Sequence, residues 1–341
     1  MACNNDWSPL EEIIVGTADY ASIPLTNIST MKCQFPEYEE EYIKQYTGFF
    51  PQQIIDEQNE DLEKLSDVLK NLGIKVHRPD TQYAEIETVS PNWRGKNWHY
   101  HCPRDLTLVV GDTLIETPSP IWNRQYETWA YRKIFTELFN EGYNWVKAPI
   151  PILYDENYKE NTKGVPALNN LEILFEAANC IRINEDILYQ VSNTGNENGA
   201  KWLQRTLGDK YKVHVATDLY SYAHLDSTIV PLREGLVLYN AHRVTPQNEP
   251  EIFKSWDKIW INECVGPDTS PFNLPWGASE WIGLNLLSIN ENLAIVDKKQ
   301  TQIHERMKSF GIETIPLELR HDRIISGGFH CVTLDLKRTI S

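Results

Sequence analysis

Ten residues from the end of the chain, Ser326-Gly327-Gly328-Phe329-His330-Cys331 sets a thiol behind a pair of glycines. Glycine lets backbone approach a ligand closely, and the alternating run Cys331-Val332-Thr333-Leu334-Asp335-Leu336 predicts a strand that starts at the cysteine. A thiol at the mouth of a strand suits a covalent nucleophile, although taken alone most unpaired cysteines are small buried apolar residues. Partners raise the signal: His224-Leu225-Asp226 precedes one apolar strand, Asp105 precedes another, Asp186 opens a third, and Ser279 lies just ahead of a fourth. Cys with His is the minimum for thiol catalysis, the imidazole moving protons for attacking and departing groups. Two acids on either side of a planar cation suit a guanidinium, whose donors pair with carboxylates in a fork. Buried unpaired carboxylates are costly, so such a pocket wants its cation. The local set His99, His101 and Cys102 resembles a zinc site faintly, but it lacks a fourth ligand at structural spacing and reads as loop packing.

The elements that must bring these residues together repeat along the chain. Leu106–Val110 and Thr113–Glu116 form a hairpin, followed by helical spacing from Arg124 to Phe139 and a strand at 144–147. The next unit takes strands at 173–177, 180–183 and 187–190, a helix at 199–207 and a strand at 211–215. A third runs through 227–232 and 236–239, a short helix near Glu249 to Trp256, and 258–261. A fourth has 283–289, 293–296, a helix at 300–310 and a strand at 312–317. The last is split: the strand at 331–336 pairs with Glu12-Ile13-Ile14-Val15, followed by a helix at 56–72 and a strand at 74–77. A hairpin before every helix is not required of a parallel doubly wound sheet, and it predicts a closed α/β propeller of five strand-strand-helix-strand modules. Residues 17–55 and 150–170 read as long covering loops, and residues 1–341 as one domain. In a closed ring, strand starts at one end meet on the axis, which would put the thiol, the imidazole and the acids in one cleft.

Composition narrows the partners. With 32 Lys+Arg against 48 Asp+Glu the net charge is −16, which argues against nucleic acid and anionic membrane. The six cysteines form no Cys-x-x-Cys pair, and no apolar run approaches a membrane span. The start of the chain shows neither a basic-then-apolar leader nor an Arg-rich transit peptide, so a cytoplasmic protein with free thiols is expected. No P-loop and no Gly-x-Gly-x-x-Gly follows a strand, which disfavours nucleotide chemistry.

Four blocks, taken together, resemble the arginine:amine amidinotransferases, the family of glycine amidinotransferase and of antibiotic- and cyanotoxin-pathway enzymes. They are His101-Cys102-Pro103-Arg104-Asp105, Asn184-Glu185-Asp186-Ile187, Ala223-His224-Leu225-Asp226-Ser227-Thr228 and Gly327-Gly328-Phe329-His330-Cys331. The resemblance implies a pentein fold with pseudo-fivefold symmetry, a homodimer, and neither metal nor organic cofactor. It implies Cys331 as nucleophile, His224 as acid/base, Asp186 as the acid completing their triad, and Asp105 as the second carboxylate on the guanidinium. Asp226, Arg243 and Ser279 would grip the amino-acid end of the donor. Arg243 on its own reads as a surface cation, so its role rests on the resemblance. Ser221 and Ala223, where the vertebrate glycine enzyme carries Asn and Met, would border the acceptor. The implied reaction moves the amidino group of L-arginine to Cys331, releases ornithine, and passes the group to an amine of open identity. A guanidine hydrolase of the same fold and a non-catalytic guanidine-binding ring are the alternatives.

Overall fold

The computed structural model describes residues 3–160, 162–267 and 269–339. Five three-stranded sheets recur along it with the same internal order. In each, two strands pair antiparallel and a third, reached by a crossover, lies parallel to the middle one. The first module joins the two ends of the chain: Thr333–Arg338 pairs with Leu10–Val15, and the helix Gln52–Asn71 crosses to Lys75–His77. The second comprises Thr107–Val110, Thr113–Glu116, the helix Arg132–Asn140 and Asn144–Lys147. The third comprises Cys180–Ile183, Asp186–Gln190, the helix Glu197–Leu207 and Lys212–Ala216. The fourth has Ile229–Arg233, Leu236–Asn240 and Asp257–Ile261, and the fifth has Leu287–Asn290, Leu293–Asp297, the helix Thr301–Ser309 and Glu313–Leu317.

Local chemistry explains the repeat. The hairpins of the second and fourth modules turn at Gly111 and Gly235, whose φ of 60° and 79° lies in the region glycine enters without strain. The middle strands are buried along their length, as Leu236–Asn240 shows, so they read as continuous apolar runs rather than alternating ones. Each helix lays an apolar stripe on its sheet; Leu62, Leu65 and Leu69 form that of Gln52–Asn71.

Five apolar clusters lie between the modules. One packs Ile14 and Leu334 against Val109 and Phe135, the next Val110 and Ile115 against Ile187 and Leu203. The third packs Ile181 and Leu188 against Ile229 and Val237, and the fourth Leu232 and Leu238 against Val296 and Ile303. The fifth packs Leu287 and Ile295 of the last module against Ile13 and Leu65 of the first. The five sheets stay separate, and none closes on itself among the described residues.

Several sequence expectations shift. The helix expected from Arg124 begins at Arg132, because Arg124 and Glu127 lie on tight turns that point both side chains inward to bond each other. The helix near Glu249 to Trp256 shrinks to one turn, Glu251–Phe253, behind Pro250. Residues 173–177 form no strand, and the last strand begins at Thr333 rather than at Cys331. Residues 17–55 hold two short helices, Ile28–Cys33 and Glu40–Lys44, that pack an apolar cover with Trp98, Ile121 and Ile324. No helix among the described residues is long and apolar enough to cross a membrane.

Candidate active site

A cleft of about 590 Å³ opens under the cover, and its floor holds Asp105, His224, Asp226 and Cys331. One ligating atom from each of Asp105, His224 and Cys331 falls within 4.8 Å of the others. The glycine pair that draws attention in the sequence serves this convergence by admitting protein rather than ligand. A Cβ on Gly327 would sit 2.5 Å from the Cys102 sulfur, and one on Gly328 would sit 2.7 Å from Asn285 Cβ. Asn285 can therefore close on the nucleophile candidate: its Oδ1 accepts from the Cys331 N–H at 2.9 Å and its Nδ2 donates to the sulfur at 3.2 Å. The Cys331 thiol also donates to Asp226 Oδ2 at 3.1 Å, and that oxygen is 2.9 Å from His330 Nδ1.

His224 follows the loop at 217–223 with φ of 48°, a left-handed conformation that a β-carbon disfavours and that active sites often retain. Its Nε2 is 2.6 Å from Glu176 Oε2, and its Nδ1 is 3.7 Å from Asp105 Oδ1. Behind them the buried Arg124 reaches Asp105 at 2.9 Å, Glu127 at 3.0 Å and Glu176 at 3.3 Å. Asp105 Oδ1 is buried and accepts no hydrogen bond among the described residues. A buried carboxylate oxygen without a donor is costly, and its place in the cleft points to a cationic ligand that supplies one.

Electrostatics matches this geometry. Burial raises the Asp105 carboxyl above its ordinary value, and nearby Glu176 and Asp226 add to the rise while His224 and Arg124 oppose it. Burial works against a charged His224, but the Asp105 charge and the hydrogen bonds with Cys331 and Glu176 outweigh it and hold the imidazole well above 6.5. Asp226 moves the other way: burial is overcome by its hydrogen bond to His330 and by the charges beside it, so its carboxyl is depressed. Contact with the Cys102 thiol, then burial and the Asp226 charge, push Cys331 well above the usual thiol range, with His224 pulling against them. These shifts favour a protonated thiol beside a charged imidazole. Arrival of a cation reverses the balance toward the thiolate.

Among the expected substrate contacts, Arg243 donates to Ser227 Oγ at 3.0 Å, Thr228 Oγ1 at 2.9 Å and Ser279 Oγ at 2.8 Å, its guanidinium 3.5 Å from the Tyr220 ring centre. Ala223 lines the cleft, but Ser221 is not among the lining residues; its carbonyl is held by the Asn193 N–H at 2.8 Å, and Tyr220 and Tyr222 face the cavity instead. Asp186 is a correction. It opens its strand at the far end of a hairpin, half exposed, and meets His214 at 2.6 Å on the outer strand of its sheet. The acid on His224 is Glu176, from the segment expected to be a strand. His99, His101 and Cys102 are buried; His101 spans Ser326 O at 3.0 Å and Gln58 at 2.9 Å, and burial lowers its pKa to about 4.

No family model matches the chain. Its sequence is 42% identical to inosamine-phosphate amidinotransferase 1 of Streptomyces glaucescens over 342 residues, 99% of this chain and 97% of that protein. It is 36% identical to the L-arginine:L-lysine amidinotransferase of Pseudomonas savastanoi pv. phaseolicola, over 98% and 93% of the two chains. The solved inosamine-phosphate amidinotransferase of Streptomyces griseus superposes with a TM-score of 0.96 at 41% identity, covering 100% of this chain and 97% of that one. The chain belongs to the amidinotransferase family.

An amidinotransferase moves a planar, cationic carbon group between nitrogens, and this cleft offers a thiol, a proton carrier and carboxylates for that task. The residues that sequence reasoning missed are Glu176, Arg124 and Asn285. Glu176 stands in Phe175-Glu176-Ala177-Ala178, where a buried-looking acid among apolar residues was the available signal. Asn285, in Gly283-Leu284-Asn285-Leu286, gave no comparable signal.

Proposed function

We propose that the cleft transfers the amidino group of L-arginine to an amine through a covalent intermediate on Cys331. What carries the reading is the convergence of the thiol, His224 and an Asp105 carboxylate oxygen within 4.8 Å, with Asp105 Oδ1 lacking a donor among the described residues. Asp105 and Asp226 hold the guanidinium nitrogens, Asp226 lying 3.1 Å from the sulfur rather than at the amino-acid end the resemblance implied. The bound cation lowers the thiol's pKa, the thiol proton leaves to solvent, and the Cys331 thiolate attacks the guanidinium carbon. His224 donates its proton to the departing nitrogen, the carbon–nitrogen bond breaks, and ornithine leaves with the amidino group retained on sulfur. The acceptor amine then attacks that carbon, its proton passes to His224, and the thiolate departs. Glu176 keeps His224 oriented and cationic, the part the sequence assigned to Asp186. Arg243 and Ser279 bind the amino-acid end of the donor, and Ala223 with Tyr222 borders the acceptor. The five modules, with an apolar cluster between each pair including the last and the first, support a closed pentein ring around this cleft.

Arginine alone, without acceptor, should release ornithine in one stoichiometric burst and add the mass of one amidino group to the Cys331 peptide. Cys331→Ala should abolish burst and adduct with the fold intact by circular dichroism. Continuous ornithine release without any amine would instead identify a hydrolase.

A further inference from the structure

The cleft is lined by three arginines among the described residues, and two of them have every terminal nitrogen engaged. Arg124 is held by three carboxylates, and Arg243 by the hydroxyls of Ser227, Thr228 and Ser279. Arg323 differs. Its guanidinium lies 4.1 Å from the centre of the Trp276 ring, and only its Nε finds an acceptor, the Ala278 carbonyl at 3.4 Å. Neither terminal nitrogen meets a carboxylate or other hydrogen-bond acceptor among the described residues. The backbone beneath it is fixed: the Arg323 carbonyl accepts from the N–H groups of Gly277 at 2.9 Å and Ala278 at 3.0 Å. A side chain on Gly277 would collide with the Ile324 carbonyl, at 2.7 Å. Segment 277–279 thus ties Arg323 to Arg243 through Ser279, and Asp322–Ser326 runs directly into the turn bearing Cys331.

A guanidinium stacked on an indole keeps its planar fork oriented, so little freedom is lost when an oxyanion pairs with its free edge. General charge does not explain it, because the chain carries a net −16 and Glu37 and Glu280 line the same cleft. We propose that Arg323, stacked on Trp276, is a further specificity-determining residue that anchors an anionic group on the acceptor amine. This rests on the reading that the cleft passes an amidino group to an amine. Donor and acceptor occupy the cleft in turn, and an acceptor of different length places its anion away from the Arg243 hydroxyl cluster. A second oriented guanidinium receives it there.

Two matched pairs of acceptors test the assignment: L-lysine against 1,5-diaminopentane, and an aminocyclitol phosphate against the free aminocyclitol. In the wild type, kcat/KM should favour the anionic member of one pair by about tenfold or more, the usual size of one charge-assisted bond. The pair that responds identifies the anion as carboxylate or phosphate. Arg323→Gln should bring that ratio close to one, mainly by raising the acceptor's KM, and Arg323→Lys should restore part of it. The ratio is internal to each preparation, so partial misfolding cannot imitate the result. Equal use of both members by the wild type, or an unchanged ratio in Arg323→Gln, overturns the assignment. So does a rise in KM for arginine alone. If wild-type protein with arginine forms neither adduct nor ornithine, the transfer reading itself fails, and that outcome is distinct from loss of acceptor selectivity.

Discussion

Two of the buried clusters of carboxylates and cations among the described residues are balanced in opposite ways. In the first, Asp335 and Asp6 meet Arg104, Arg182 and Arg338, and the guanidiniums spend their other donors on backbone carbonyls. Arg104 Nε donates to His330 O at 2.8 Å, Arg182 Nη1 to Val109 O at 3.0 Å, and Arg338 to Ser8 O at 2.6 Å and Ser288 O at 2.9 Å. This knot joins four modules and the N-terminal segment, with cations in excess. Burial would raise the Asp335 carboxyl, but the three guanidiniums outweigh it and hold it well below its ordinary value. In the second cluster, Arg124 and His224 face Asp105, Glu127, Glu176 and Asp226. Acids are in excess, and Asp105 Oδ1 and Glu127 Oε1 find no donor among the described residues. A saturated cluster holds a fold together; an unsaturated one of the same residue types is poised for a cation.

The largest expected effect lies in the saturated knot. Asp335→Asn leaves three buried guanidiniums short of one charge, and breaking such a pair costs about 3–5 kcal/mol. Denaturant melts should show that loss, with the remaining folded fraction keeping normal turnover. In the cleft turnover carries the larger effect. Against burial, Arg124 and His224 hold the Glu176 carboxyl below its ordinary value, so Glu176→Gln should cost some stability, but less than Asp335→Asn because Asp105 and Glu127 still face Arg124. Turnover should fall by about a hundredfold or more, because His224 loses the charge that keeps it oriented and cationic. A Glu176→Gln enzyme that melts as early as Asp335→Asn and turns over normally would reverse the assignment of the two clusters.

Their pH signatures should differ in sign. Asp335 has a depressed carboxyl, so its contribution is complete above the ordinary value near 3.8 and is lost as pH falls toward the folded value. Burial, only partly offset by Arg124, raises Glu127 from 4.5 to about 8. The folded chain then holds that proton more tightly than the unfolded one, so stability falls as pH rises from about 4.5 to about 8. Melting of Glu127→Gln across this window should lose that slope, and an unchanged slope would mean Glu127 is ionised throughout.

These contrasts explain what was legible in the chain. The modules could be read because each is local: hairpin, helix and strand follow one another with their own turn residues. The split module was recovered because the strands at both ends are strongly apolar. Cys331, His224, Asp226 and Asp105 were found because thiol, imidazole and acids at strand starts have few other uses together. Glu176 was hidden because it sits in an apolar run that imitates a strand, while packing of Phe175 against Tyr189 makes the segment a turn. Arg124 was absorbed into a helix by its spacing. Its real role depends on Asp105 and Glu176 as well as on nearby Glu127, and no local pattern encodes the two distant contacts. The glycines of the Cys331 turn were noticed for the right property with the wrong neighbour, since closeness to Cys102 and Asn285 is a tertiary fact.

Asp186 gives the smallest expected effect and the sharpest check on the comparison. Its block, Asn184-Glu185-Asp186-Ile187, resembled a catalytic one, yet Asn184 has φ of 60° and forms the hairpin corner from which Asp186 leaves toward solvent. Its side chain is 40% exposed and its partner His214 is 27% exposed, so water screens the pair, and exposed ion pairs contribute about 0–1 kcal/mol. Asp186→Asn keeps the shape and removes the charge. Stability should change by less than about 1 kcal/mol, and both halves of the transfer should proceed at wild-type rates. Measured beside Glu176→Gln with arginine and one acceptor, the two variants should separate cleanly, one inactive and one normal. If Asp186→Asn loses turnover as severely as Glu176→Gln, charge at the outer hairpin reaches His224 by some route other than contact. The division between a saturated frame and an acid-rich cleft would then have to include the third module's corner.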